Sequence, residues 1–382
     1  MDSDGVTYTI DAFNVGTTPT EPSVAKLTLK SDTQPHLDEL LDRLIALGAL
    51  ELKDTDAVLE AAPKDGVLPD DFYATTNLET EVRLAGTWVP VALPEMDCGI
   101  VVDAAGNAKT VAPSDIRQGD RVVVGHDGVR VKTLNRARHK AVFEFMSSAV
   151  SSEKPKESLI AEVARELLAI RAAGKRILLV GGPAIIHTGA GKYLARLIER
   201  GFVSALFAGN ALAVHDIESQ FFGTSLGVDL TDAFPVEEGH VHHLRTVNRI
   251  RAIGGIQGAI DAGMLRSGVM YQAYTKKIPV VLAGSIRDDG PLPDVITDVV
   301  EAQRAMRKHV PEVGMALLVC TLLHSVAVGN LLPAAVKVIC VDINPASVTK
   351  LTDRGTTQTI GVVMGADSFL RELWDALIAL EP

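Results

Sequence analysis

Asp342 closes the apolar run Val336 to Val341, about 20 positions after the turn Thr321-Leu322-Leu323-His324-Ser325, which itself follows the apolar run Met315 to Cys320. A strand, turn, helix and second strand ending on an acid is a pattern by which dinucleotide-binding folds hold a nucleotide. The backbone amides of Leu322, Leu323 and His324 at a helix start would face a pyrophosphate. The Asp342 carboxylate would accept hydrogen bonds from ribose hydroxyls and repel the extra phosphate of NADP, which selects NAD as the cofactor. The turn lacks GxGxxG. A second reading, in which Asp342 caps the helix that follows Asn344-Pro345, therefore stands beside the first. Gly189-Ala190-Gly191-Lys192 does not make a phosphate loop, because Tyr193 occupies the position where a hydroxyl would meet magnesium.

Other residues have the chemistry of an acid-base site. Glu95 and Asp97 lie in one short segment, and two carboxylates in unlike surroundings can divide acid and base roles; as solvated turn residues they would do neither. His187 stands between two glycine-rich stretches, where an imidazole could shuttle protons. Asn77 follows Thr75-Thr76 and could contact a polar substrate or serve as a cap. Arg83 or Arg130 could clamp a carboxylate through two parallel hydrogen bonds. His240, His242 and His243 fall in an acidic, loop-like stretch with no carboxylate or cysteine at ligand spacing, so no metal is expected.

These residues need elements to position them. From residue 157 onward, helical stretches alternate with the apolar runs Arg176 to Val180, Val203 to Ala208, Pro279 to Ala283, Met315 to Cys320 and Val336 to Val341. Such runs, separated by helices, indicate an α/β domain with a parallel Rossmann-like sheet covered on both faces. Ligands in such folds gather at the carboxyl ends of the strands, so Gly181-Gly182, Gly209-Asn210-Ala211, Gly284 to Gly290, Thr321 to Ser325 and Asp342 all belong to one edge.

Upstream, the strand-like residues 22 to 30, the helical spacing from His36 to Leu47, and short β-like pieces at Trp88 to Leu93, Gly99 to Asp103, Arg121 to Val124 and Val129 to Lys132 describe a smaller α+β domain. The stretch Met146 to Pro155, rich in small polar residues, is the expected boundary, giving an N-terminal domain over 1–150 and a cofactor domain over 151–382.

Composition narrows the function classes. The formal charge is -11 over 382 residues with no long basic run, which argues against nucleic acid or an anionic membrane surface as partner. Three cysteines match no disulfide or zinc framework, and the acidic N-terminus is followed by no apolar stretch, so a reduced, cytoplasmic protein is expected. The apolar run Gly314 to Leu332 contains His324 and Asn330 and is expected to be a core strand plus helix.

A family resemblance is carried by Phe13-Asn14, Pro19 to Ser23, Asp65-Gly66-Val67, Phe72 to Asn77, Glu95 to Cys98 and Gly125 to Arg130. These resemble the conserved region of the bifunctional lysine-ketoglutarate reductase/saccharopine dehydrogenase enzymes. With the downstream motifs, the chain is similar over nearly its full length to the archaeal-type ornithine cyclodeaminases, and to the C-terminal module of arginine dihydrolase/ornithine cyclodeaminase fusions. The segment Pro279 to Asp294 also resembles part of deoxyhypusine synthase, another NAD-using fold. The resemblance implies NAD contacts at Asn210, Ala211, Asp289, Thr321, Leu322, Leu323, His324, Asp342, Gly365 and Ala366. It further implies conversion of ornithine to proline and ammonia, by removal of a hydride from Cα and its later return. No counterpart of the guanidine-hydrolysing part of the fusions is expected, so ornithine and not arginine is the expected substrate. Glu95, Asp97 and His187 are then the candidate acids and bases, and Asn77, Arg83 and Arg130 the candidate substrate contacts. A homo-oligomer is expected for an enzyme of this size. The alternatives are an NAD-dependent amino-acid dehydrogenase and a non-catalytic NAD-binding regulatory protein.

Overall fold

The computed structural model describes residues 6–14, 24–31, 33–49, 55–132, 156–231, 234–236, 239–288, 290–354 and 359–381. The chain divides into two compact units, 1–137 and 138–382. The Met146 to Pro155 stretch expected as a boundary lies outside the described residues.

The first unit opens with an antiparallel pair, β1 (Val6–Asn14) and β2 (Val24–Ser31), followed by α1 (Gln34–Ala46). Seven strands then build one sheet: β3 (Val58–Ala61), β4 (Thr80–Leu84), β5 (Thr87–Ala92), β6 (Gly99–Val102), β7 (Ala108–Val111), β8 (Arg121–Val124) and β9 (Val129–Val131). Their order is β3-β8-β6-β7-β5-β4-β9, antiparallel except between β5 and β7. Side chains alternate across this sheet. Ile100 and Val102 join a core with Tyr73, Val82 and Val91, while Val101 joins Ile116 and Val122 on the other side.

The second unit holds a parallel sheet of β10 (Arg176–Gly181), β11 (Ala205–Gly209), β14 (Val280–Ala283), β15 (Val295–Ile296), β16 (Val313–Val319), β17 (Lys337–Asp342) and β18 (Thr359–Val363). Between β11 and β14 the short strands β12 (Thr224–Ser225) and β13 (Val228–Asp229) form a separate pair. The large sheet runs β15-β14-β11-β10-β16-β17-β18. Successive strands thus step outward from β10 in one direction, and then the chain returns to place β16 on the other side of β10. The crevice outside the carboxyl ends of β10 and β16 is therefore the topological switch point, where α/β sheets bind ligands.

Each strand is apolar on both sides because helices cover both faces. Ile177 and Leu179 pack with α2 (Lys156–Ala172), α4 (Gly191–Glu199), α5 (Asn210–Phe222), α8 (Val269–Thr275) and α12 (Ala366–Leu380). The intervening Leu178 and Val180 face α9 (Val299–Arg307), α10 (Leu323–Leu331) and α11 (Pro345–Arg354). The apolar run expected as strand plus helix is β16 followed by α10, and no helix among the described residues is long and apolar enough to cross a membrane.

Candidate active site

Three helices begin at the carboxyl edge of the large sheet directly after strands β11, β16 and β18: α5 at Asn210, α10 at Leu323 and α12 at Ala366. None of the three N-cap residues caps its helix through a side chain, which leaves first-turn N–H groups open to an anion; at the start of α12 the Ala366 N–H also meets the Cys320 sulfur. By contrast, the helix after β15 is closed by its own residue, Asp298, which accepts from Val300 N and Glu301 N at 2.9 Å. The open helix termini thus mark out the span from β11 to β18.

Backbone closeness shapes the floor of the crevice. A Cβ built on Gly182 would overlap the carbonyl oxygen of Cys320, so the ends of β10 and β16 can approach this closely only with glycine there. Cys320 itself sits in the left-handed region, at φ 53°, which turns the chain out of β16 and into α10. Burial and the neighbouring Asp342 carboxylate push its thiol up to about 11, so it is an inert thiol. A Cβ built on Gly209 would fall 2.9 Å from Cε1 of His324. Because β10 lies between β11 and β16, the His324 imidazole reaches across the end of β10. Burial lowers its basicity, with a partial offset from Asp288.

The sequence-derived cofactor residues among the described residues fall on this edge. Thr321 is half-buried, Leu322 and Leu323 are exposed, and Leu323 is 76% accessible at the first position of α10. Asp342 ends β17, is half-buried, and spends one oxygen on Asn344 N at 2.8 Å, a turn bond ahead of α11. The side chain that meets the first turn of that helix is Asn344, which accepts from Ala346 N at 3.0 Å, so the helix-capping role of the second reading falls to Asn344 and the Asp342 carboxylate retains other lone pairs. Ile343 beside it is 74% exposed, which leaves an apolar surface next to the carboxylate. Asn210 is buried and accepts from Leu292 N at 3.0 Å, tying the start of α5 to the segment before β15. Ala211 follows it on α5, and Gly365 and Ala366 form the start of α12. Asp289 lies outside the described residues. Backbone amides at uncapped helix starts, a strand-end carboxylate, a glycine crevice and flanking apolar side chains together fit a dinucleotide.

His187 ends α3 (Ala184–His187), just beyond Gly182 and Pro183. Its Nδ1 lies 2.7 Å from Ser225 Oγ, and its ring centroid lies 4.8 Å from that of His215. Behind it stands Glu218, with no exposed surface, whose two oxygens meet four donors. Oε1 accepts from Thr224 Oγ1 at 2.9 Å and Gly227 N at 3.1 Å. Oε2 is hydrogen-bonded to His215 Nδ1 at 2.8 Å and to Leu226 N at 3.2 Å. These bonds outweigh desolvation and hold the carboxyl below its ordinary range. Thr224 Oγ1 also lies 2.9 Å from His242 Nδ1, and His242 stacks on Phe222. Sequence reasoning placed His242 and His243 in a loop; they are instead the first two residues of α6 (His242–Ile253), preceded by one tight turn at Gly239–Val241. Turn-forming residues and acidic neighbours masked the helix start there.

Glu218, His215 and Thr224 were missed from sequence. The available signal was α5 itself, where His215, Asp216 and Glu218 interrupt a helix whose neighbours Leu212, Ala213, Val214 and Ile217 are all buried. Charged groups on such a helix require partners. Asp216 finds them at the start of α8, accepting from Val269 N at 2.8 Å and Met270 N at 2.7 Å.

In the first unit, the loops carrying Asn77, Glu95 and Asp97 come together. Thr75 Oγ1 donates to Glu95 O at 2.6 Å and accepts from Cys98 N at 3.0 Å, while Asp97 N donates to Thr75 O at 3.1 Å. Asn77 and Glu95 are buried; Asp97 is exposed and left-handed, at φ 61°. Arg83 and Arg130 are placed differently. Arg83 pairs with Asp56 at 3.1 Å, and Arg130 pairs with Glu81 at 2.6 Å while lying over the Trp88 ring.

Comparison with known proteins identifies the fold that carries this edge. Residues 161–373 match the family model described as the arginine dihydrolase ArgZ-like C-terminal Rossmann fold, 79–160 its C-terminal first region, and 1–78 the LOR/SDH bifunctional enzyme conserved region. A Methanocaldococcus jannaschii protein named ornithine cyclodeaminase is 51% identical over 99% of this chain and 91% of its own length. The crystal structure of a conserved LOR/SDH protein from Methanococcus maripaludis S2 superposes with a TM-score of 0.81 at 50% identity, over 86% of this chain and all of that one. AgrE of Nostoc sp., a bifunctional arginine dihydrolase/ornithine cyclodeaminase, was solved as a ternary complex with ornithine and NAD+. That structure matches with a TM-score of 0.58 at 42% identity, over 99% of this chain and 54% of that one. By its matching family models and its near full-length identity to these relatives, the chain belongs to the ArgZ-like C-terminal family with a Rossmann fold.

Proposed function

We propose that this protein is an NAD-dependent ornithine cyclodeaminase, which converts L-ornithine to L-proline and ammonia. One observation within the molecule carries the cofactor reading: three uncapped helix N-termini share the carboxyl edge of a parallel sheet with a strand-end carboxylate at Asp342. The substrate reading is supported by relatives named ornithine cyclodeaminase at about half identity over nearly their full length.

When bound, NAD would supply a reversible hydride acceptor for Cα of ornithine. The amides at the starts of α5, α10 and α12 would hold its phosphates, and Asp342 its adenosine ribose. Asn210, Ala211, Asp289, Thr321, Leu322, Leu323, His324, Gly365 and Ala366 are proposed to complete that site. His187 is the proposed proton carrier of this unit. In the first unit, Glu95 and Asp97 are the proposed acid-base carboxylates, with Asn77 the proposed polar contact to the amino acid. Arg83 and Arg130 already hold carboxylate partners, so a role in anchoring substrate requires exchange of those ion pairs. The proposed setting is a cytoplasmic homo-oligomer acting on a small amino acid, with neither nucleic acid nor membrane as partner; light scattering in solution measures the copy number.

The test is proline and ammonia release from L-ornithine by the purified protein, with reduced nicotinamide followed by absorbance. Equal amounts of proline and ammonia, without net reduced cofactor, are expected. Accumulating reduced cofactor would replace this reading with an amino-acid dehydrogenase. NAD binding without turnover of any amino acid would replace it with a regulatory binder.

A further inference from the structure

His187 and His215 each lie six residues beyond the last residue of a strand, Gly181 of β10 and Gly209 of β11, and these two strands are neighbours in the sheet. Their rings are in contact, tilted by 60° with centroids 4.8 Å apart. Burial increases step by step away from the crevice: His187 is half-buried, His215 is 7% exposed and Glu218 is fully enclosed. Glu218 is fixed by four donors drawn from α5, β12 and the turn after it, so it cannot swing away. Its Oε2 engages Nδ1 of His215, which leaves Nε2 as the nitrogen able to exchange a proton. Ser225, next to the Thr224 that bonds Glu218, engages Nδ1 of His187 in the same manner. The third nearby ring, His243, lies 6.3 Å from His215 and has a buried Nδ1 with no partner among the described residues.

We propose that His187 and His215 form a two-imidazole proton carrier, positioned by the buried Glu218, that takes the proton from the δ-ammonium of ornithine and delivers it to the departing α-nitrogen. The inference rests on the cyclodeaminase reading. After Cα has been oxidised to the imine, the δ-ammonium gives one proton to the carrier and its lone pair forms the new bond to Cα. In the protonated imine the C=N pair moves onto the α-nitrogen as the new bond forms, and the carrier returns its proton there. The ring nitrogen, positively charged by its attack, loses one proton to solvent, and its lone pair forms the new C=N bond as the bond from Cα to the α-nitrogen breaks with its electron pair on nitrogen, so ammonia leaves and the protonated cyclic imine is ready for the returning hydride. One proton is taken up and one is released, so the carrier ends as it began. His187 acts at the substrate. His215 and Glu218 act through it and are positioning residues. Burial and the neighbouring His215 push the His187 imidazole down to about 4, with Glu218 opposing, so His187 begins the cycle neutral and becomes a strong acid once charged.

His215→Asn tests this, because the carboxamide N–H2 of asparagine can keep the hydrogen bond to Glu218 while removing the exchangeable ring nitrogen. The expected variant keeps bound NAD and its unfolding temperature, lowers proline turnover by about 100-fold or more, and leaves the KM for ornithine within about threefold. It should also accumulate one equivalent of reduced nicotinamide absorbance on mixing with ornithine, since oxidation of Cα proceeds while ring closure stalls. His187→Asn, which can keep the Ser225 bond, should behave alike and serves if the first variant does not fold. Unchanged turnover in a folded variant, or slowed turnover without accumulated absorbance, overturns the carrier and leaves the cyclodeaminase intact. A wild-type protein that releases no proline overturns both.

Discussion

The carboxyl edge of the large sheet has two halves built by different means. On the β16–β17–β18 side the reactive features are main-chain amides, one half-buried carboxylate and exposed apolar side chains at Leu323 and Ile343. On the β10–β11 side, beyond the open start of α5, they are interior side chains, with Glu218 at the centre of a network that joins α3, α5, β12 and α6. Where a ligand is held by backbone, its binding can be changed with little consequence for the fold. Where the same atoms satisfy buried partners, chemistry and stability cannot be separated.

The largest expected effect lies at the seam between the halves. Gly182→Ala should destabilise the fold by about 3 kcal/mol and weaken NAD binding at least about tenfold, because its methyl group would force the ends of β10 and β16 apart; denaturant unfolding and cofactor titration measure both. A stable, NAD-binding alanine variant would mean that the halves are not locked together. Next comes Glu218→Ala, which strands the amides of Leu226 and Gly227 and leaves the Thr224 hydroxyl with His242 alone. A loss of about 2–4 kcal/mol is expected in denaturant unfolding. Asp342→Ala should do the opposite, leaving the unfolding midpoint nearly unchanged while lowering NAD affinity by about 10-fold to 100-fold through lost charged hydrogen bonds. Calorimetric titration with NAD and NADP checks it, and equal effects of the Glu218 and Asp342 variants on stability would erase the difference between the two halves.

The smallest effect is one of slope. His187 is held near 4 in the folded chain against 6.5 when exposed, so between those values the unfolded chain takes a proton that the folded one refuses, and stability falls as pH falls. Asp216 is raised to about 6 from 3.8, chiefly by burial. Over that range the folded chain keeps a proton that the unfolded one has lost, so stability falls as pH rises. The two contributions oppose each other between pH 4 and 6. Relative to wild type, His187→Asn should tilt the melting temperature downward with rising pH across this window, and Asp216→Asn should tilt it upward; parallel curves would show that neither group is linked to folding.

The same division explains what sequence alone made legible. Strands β10, β11, β14, β16 and β17 are uninterrupted apolar runs because both their faces are covered, and a run of that kind is visible without knowing its neighbours. The two-residue strand β15 has no such length, and β3, β4 and β7 depend on pairing partners more than on their own patterns. Asp342 was readable because its place at the end of an apolar run after a turn is a local property. Glu218 was not, because the donors that define it come from positions 215, 224, 226 and 227 and from a chain path that only folding creates. The burial of Asn77 and Glu95 was likewise hidden, since Thr75 and Cys98 bring their loops together across an interval the sequence does not mark.

The switch point at β10 also imposes an order on biosynthesis. One edge of this central strand pairs with β11 soon after both leave the ribosome, but its other edge waits for β16, roughly 130 residues later. At the usual ~5–20 residues per second, a nascent chain would carry an open apolar strand edge for on the order of ten seconds. Chains halted before Val313 should therefore depend on chaperones for solubility, and pauses in translation within that interval would be the most hazardous in the message.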